Sequence, residues 1–145
     1  MAYDHQMVQR VISTITIATG QGPALTAAAD IGVFAPGLQP LEVRGVALIV
    51  TTTCTVTACV VDFYKRPVAG DDTGRTLIKR LNPTLAQLVA GNVIYSDVEG
   101  TTIDPGGDII AEVSTTSTAG NGHVAIMEMP KWQHPGNNTK MIKIA

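Results

Sequence analysis

The stretch from Leu41 to Tyr64, LEVRGVALIVTTTCTVTACVVDFY, constrains the fold more than any other part of the chain. Both of its arms are rich in Val, Ile and Thr, whose branched β-carbons suit a pleated surface. Leu48, Ile49 and Val50 are apolar in succession, as are Cys59, Val60 and Val61. Runs without alternation imply strands covered on both faces. The expectation is a hairpin of two strands turned at its Thr-rich centre, mid-sheet or beneath a second layer, with the other strands added around it.

Composition supports the strand reading. The 145 residues include 18 Thr, and the chain is 45% apolar but only 4% aromatic, so the core has to be aliphatic. A chain of this length fits one domain and buries roughly two-thirds of its unfolded surface. Charged residues make up 15%, against about 25% in ordinary soluble domains. So few charges fit either a surface covered by partners or a compact β-domain coated with Thr. The net charge of −2 gives no field that would attract nucleic acid. No run reaches the ~18 apolar residues of a membrane helix, so no membrane partner is expected. The opening MAYDHQMVQR has neither the basic nor the apolar region of a signal peptide, which places the expected site of synthesis and assembly in a cytoplasm. Cys54 and Cys59 match no zinc or CxxC spacing and read as free thiols acting as small hydrophobes.

Turn chemistry divides the chain into strands. Residues 1–10 lack periodicity and read as an N-terminal arm. Val11, Ser13, Ile15 and Ile17 alternate with Ile12, Thr14 and Thr16 until Gly20, Gly22 and Pro23 end the strand. Ala24 to Phe34 would permit a helical turn, but Ile31, Val33 and Phe34 favour a short strand. A polar loop spans Lys65 to Gly74, and a strand follows at Arg75 to Leu81. Asn82 and Pro83 stand where an N-cap and first helical residue would, and Gly91 where a helix would end. With Leu85, Leu88 and Val89 between them, they predict one short helix plugging an end of the fold. Strands return at Asn92 to Asp97 and at Gly107 to Thr115. In the latter, Ile109, Ala111 and Val113 face one way, and Asp108, Ile110, Glu112 and Ser114 the other. Ala119-Gly120-Asn121-Gly122 reads as a turn before a last strand, His123 to Met129. The fold class is therefore all-β. About eight strands form an antiparallel sandwich or jelly roll over residues 11–130, between a 1–10 arm and a 131–145 arm.

Chemistry is hard to find in this pattern. His5, His123 and His134 fall at no metal-ligand spacing, and His123, opening a strand beside a Gly turn, reads as a surface residue. Asp97, Glu99, Asp104 and Asp108 could offer oxygens to calcium, which takes six to eight. Their spacing matches no EF-hand loop, however, and a solvated acidic loop is the simpler reading, as it is for Asp71-Asp72. No GxSxG, P-loop or GxGxxG is present, and Asn137-Asn138-Thr139 is a glycosylation sequon with meaning only after secretion. No catalytic residue, metal or cofactor is expected. The arms carry more: Trp132, the sole tryptophan, lies beyond the last core strand among three lysines. Such an arm either folds back on its own domain or is laid on a neighbour, as in strand addition. Partner contacts are expected first at Tyr3 and Arg10 and at Lys131, Trp132, Lys140 and Lys143.

The segments VRGVALIVTTTCTVTACVVDFYKRP, AGNVIYSDVEG and IDPGGDIIAEVSTTSTAGNGHVAIMEMP, within residues 41–130, resemble small jelly-roll proteins of tailed-bacteriophage heads. The PGGDIIAEV strand joined through TAGNGHV to a closing strand carries most of the likeness. The resemblance implies a cement, or decoration, protein, commonly a trimer, on the outer capsid surface of a virion assembled in the host cytoplasm. Its partner would be the major capsid protein, whose neighbouring subunits it would clamp against packaged DNA. The alternative is a receptor- or carbohydrate-binding module of the head-fibre or tail-spike kind, for which several exposed aromatic side chains would be expected.

Overall fold

The computed structural model describes residues 10–12 and 22–130, with side chains described for 22–127. Eight strands are formed: β1 (Arg10–Ile12), β2 (Asp30–Phe34), β3 (Leu41–Thr55), β4 (Val60–Arg66), β5 (Thr76–Leu81), β6 (Val93–Ile103), β7 (Asp108–Thr115) and β8 (Ala119–Pro130). They make two four-stranded sheets, ordered β1-β8-β3-β6 and β2-β7-β4-β5, and every pairing is antiparallel. Only the β4–β5 connection stays within a sheet; every other connection crosses to the opposite one. That order is an eight-stranded jelly roll. The all-β sandwich expected from the sequence is the observed fold.

The core lies between the sheets. Val43, Val46, Leu48 and Val50 of β3, with Val124 and Ile126 of β8, face Phe34, Val61, Phe63, Ile109, Ala111 and Val113 of the second sheet. The alternation expected in β7 holds: Ile109, Ala111 and Val113 enter the core, and Asp108 and Glu112 bond partners on the other face.

Three local expectations are corrected. Leu41 to Tyr64 is not a hairpin, because β3 bonds to β6 and β8 while β4 bonds to β5 and β7. Each arm is mid-sheet, as expected, but in opposite sheets. The Thr-rich centre extends β3 to Thr55, and the crossing comes only after it. Each arm then supplies a central strand to one of the two facing sheets.

Second, the expected short helix is a single 3₁₀ turn, Leu85–Gln87, capped by Thr84 rather than Asn82. The Thr84 N–H donates to Gln87 Oε1 at 2.9 Å. A longer ladder does not form because the next backbone groups are taken by β3. Leu88 C=O accepts from Cys54 N–H at 3.0 Å, and Gly91 N–H donates to Val50 C=O at 2.8 Å. Leu88 is wholly buried and closes that end of the core.

Third, residues 119–122 are the start of β8, not a turn. Ala119, Asn121 and Gly122 pair with Thr55, Thr52 and Val50 of β3. On the other side Gly120 C=O accepts from Leu25 N–H at 2.9 Å, and Gly122 N–H donates to Pro23 C=O at 3.0 Å. Arg10, assigned to the N-terminal arm, is the first residue of β1, opposite Glu128.

Candidate interaction surfaces

Period-2 alternation gives each sheet one buried face and one outward face, and the two outward faces differ in chemistry. On the second sheet the cross-strand register builds three rows. Asp108 and Arg66 stand opposite one another; Val33, Ile110, Tyr64 and Leu77 form an apolar row; and Asp30, Glu112, Asp62 and Arg80 form a charged one.

Asp30 apart, the charges in these rows are neutralised in pairs. Arg66 Nε and Nη2 donate to the two carboxylate oxygens of Asp108 at 2.7 and 2.6 Å. Both residues are buried, at 7% and 2% exposure. Such two-pronged pairs are the strongest carboxylate contacts a cation makes. Arg66 Nη1 reaches Asp72 at 3.2 Å. Arg80 Nε and Nη2 hold both oxygens of Asp62, which is fully buried, at 2.7 and 2.9 Å. Arg75 lies 4.0 Å from the Tyr64 ring centroid and bonds Glu112 at 3.1 Å. Asp72 and Arg75 both belong to the β4–β5 loop, so the network clasps that loop to the sheet. Asp71 and Asp72 are exposed, as expected of a solvated pair, with Asp72 also bonded to Arg66, whereas Asp108 is buried and does not join Asp97, Glu99 and Asp104 in an acidic loop.

Hydrogen bonds from Arg80 hold the Asp62 carboxyl below its usual range, against a smaller upward push from burial. An acid whose pKa is lowered on folding contributes stability above the unfolded value, and loses it as pH falls through the folded one. Asp30 runs the other way: burial first, then Glu112 and Asp72, raise its carboxyl, so its contribution is present at low pH and lost as pH rises. Urea titrations are expected to show stability falling as pH drops below about 4, and Asp62→Asn to flatten that fall. An unchanged pH slope in Asp62→Asn would remove Asp62 as its source.

The first sheet presents small and apolar side chains outward. Val93, Ile49 and His123 form one row, Tyr95, Ala47 and Ala125 a second, and Asp97, Gly45 and Met127 a third. A β-carbon at Gly45 would overlap Met127 Cε, so the absence of a side chain there makes room for the end of Met127 over β3. His123 is corrected from the surface assignment. It is 5% exposed, Nδ1 and Nε2 have no hydrogen-bond partner, and a β-carbon at Gly22 would come within 2.9 Å of its ring. Val93 and Tyr95 stay open to solvent at 55% and 65%. Beside them, Gln87, Asn92, Val93, Ile94 and Tyr95 line a shallow cavity of about 350 Å³.

Of the contact residues expected from sequence, Tyr3, Lys131, Trp132, Lys140 and Lys143 lie outside the described residues, and Arg10 is described by backbone alone. Cys54 and Cys59 are free and buried, as expected, and burial pushes the Cys59 thiol up to about 12. Among the described residues no group of three or more His, Cys, Asp or Glu is placed to hold a metal ion. No described helix is long and apolar enough to cross a membrane. Among the aromatic side chains Phe34 and Phe63 are buried and Tyr64 lies under Arg75. No protein-family model matches the chain, and no curated protein matches it.

Proposed function

We propose that this chain is a structural protein of a phage virion, a homo-oligomeric cement protein, in its expected form a trimer, on the outer capsid surface. It would hold together neighbouring subunits of the major capsid protein and carry no catalytic group. The strand order is compatible with this, because jelly rolls with two four-stranded sheets are a recurrent capsid architecture, one shared with lectin domains. Low charge and an apolar outward face on the β1-β8-β3-β6 sheet suit broad subunit contact. The 131–145 segment follows β8, where Pro130 pairs with Leu41 at the sheet's end. Fully extended it could reach roughly 50 Å, several strand spacings beyond its own sheet.

A sugar-binding module is the competing reading. Stacking platforms need accessible aromatic faces, and Tyr95 is the large exposed aromatic among the described side chains. A single exposed ring among the described side chains gives the sandwich itself no multi-ring stacking platform.

The protein should be quantified against the major capsid protein in purified virions. A ratio approaching one copy per capsid subunit is expected. A handful of copies per particle would indicate a fibre or vertex component, and absence would overturn the assignment. Removing residues 1–9 or 131–145 is expected to abolish head binding while leaving the circular dichroism and urea midpoint of the sandwich nearly unchanged. Undiminished binding by both truncated forms would remove the arms from the attachment.

A further inference from the structure

One side of the sandwich is made of two strand edges, β5 and β6, that pair with no further strand among the described residues. β5 pairs only with β4 and β6 only with β3, and the two lie against each other where the sheets end. An open strand edge is a template for another chain, and proteins manage such edges with charges, bulges or a covering strand. β6 keeps a regular edge over Val93 to Asp97. Beyond that, three residues, 98–100, stand opposite Arg44 alone, and Gly100 has φ +68°. The regular part is therefore five residues long and turns the N–H and C=O of alternate residues outward, with Val93 and Tyr95 exposed on it and Leu77 exposed on β5.

The charges on the two edges have opposite signs. β6 carries Asp97 and Glu99 and no cation; β5 carries Lys79 and Arg80 and no acid, with Lys65 beside Thr76 on the adjoining strand. Arg80 is engaged by Asp62. Lys65, Lys79, Asp97 and Glu99 form no ion pair among the described residues. Charges that served only to keep edges apart could have either sign on either edge. Opposite signs repel β6 from β6 and β5 from β5, and attract β6 to β5, which sets a pairing rule between copies.

We propose that β6 of one copy docks edge to edge on β5 of the next, around a rotation axis parallel to the strands, which takes the homo-oligomer proposed above as given. Such an axis keeps strand direction, so each β6 meets a neighbour's β5 in a closed ring of two or three copies. Each contact joins the β1-β8-β3-β6 sheet of one copy to the β2-β7-β4-β5 sheet of its neighbour. Strand addition of this kind takes affinity from the backbone and orientation from the side chains. The Val93 and Tyr95 side chains would be covered at the same time.

The test is the mass of the full chain in solution by light scattering, at low and high salt. The wild type is expected at two or three times its 15.2 kDa. Asp97→Lys with Glu99→Lys, and separately Lys65→Glu with Lys79→Glu, should each weaken self-association at least tenfold. The four substitutions together exchange the signs of the two edges and should restore it. Circular dichroism and urea midpoints identify any variant that fails to fold. Binding to heads that lack the protein is read in parallel. A monomeric wild type would overturn both the oligomer and the edge contact. An oligomer indifferent to edge reversal, or folded variants not restored by the exchange, would overturn the edge contact alone. Edge behaviour as expected with no head binding would leave it standing and overturn the capsid assignment.

Discussion

Arg66→Met is expected to destabilise the sandwich by about 3–5 kcal/mol, the usual result of stranding one partner of a buried ion pair. Asp108 is 2% exposed, and both its oxygens are occupied by Arg66. Met fills much of the volume of the Arg stem but leaves that carboxylate with neither water nor a cation. Loss of the contact to Asp72 adds little, since Asp72 is exposed and such pairs are worth about 1 kcal/mol or less. The informative comparison is R66M/D108L. Replacing a buried pair by apolar side chains is often neutral or stabilising, so the double variant should recover most of the loss. If Arg66→Met cost less than about 1 kcal/mol, the pair would be solvated in solution and would not anchor this face. A double variant as unstable as the single one would mean that Asp108 also holds the start of β7 by contacts that Leu cannot make.

These charged rows show where sequence reasoning reached and where it stopped. The i, i+2 spacing marked Asp108, Ile110 and Glu112 as one face of β7, and the same spacing of Asp62, Tyr64 and Arg66 could have marked the matching face of β4. Which acid met which base depended on a register between β4 and β7, 42 positions apart for Arg66 and Asp108, and single-strand periodicity carries no register. Strand existence was legible because Val, Ile and Thr alternate over whole elements. The route of the chain between sheets was not. A strand paired to its neighbour and a strand crossing to the opposite sheet have the same alternation, so Leu41 to Tyr64 read as a hairpin. His123 was misplaced for a related reason: the assumed turn before it would have left it on the surface. The edge charges of β5 and β6 were present in the sequence, but strand order alone shows that those two strands end their sheets on the same side.

The glycines of residues 119–122 look like turn formers and act as points of close approach, which predicts an effect that a turn would not have. Gly120 holds φ +134°, and a β-carbon there would overlap Cys54 Sγ and lie 3.2 Å from Cys54 Cα. Gly120→Ala therefore suffers twice. The backbone conformation is one that L residues rarely adopt, worth about 1–3 kcal/mol, and the added methyl overpacks a buried site, worth about 1–3 kcal/mol more. A loss of roughly 3 kcal/mol or more is expected in urea unfolding, from the sum of those two effects. Cys54→Ala in the same chain separates them. It removes the sulfur but not the Cys54 backbone, so Gly120→Ala should cost less in that background while the conformational part persists. Equal losses in both backgrounds would assign the whole effect to the backbone. A loss below about 0.5 kcal/mol, the scale of an ordinary surface substitution, would mean that β8 does not cross β3 this closely in solution. Because the β3 carbonyl of Thr55 also accepts from Ser117 Oγ at 3.0 Å, that outcome would reopen the start of β8 and the closure of the sandwich at this end.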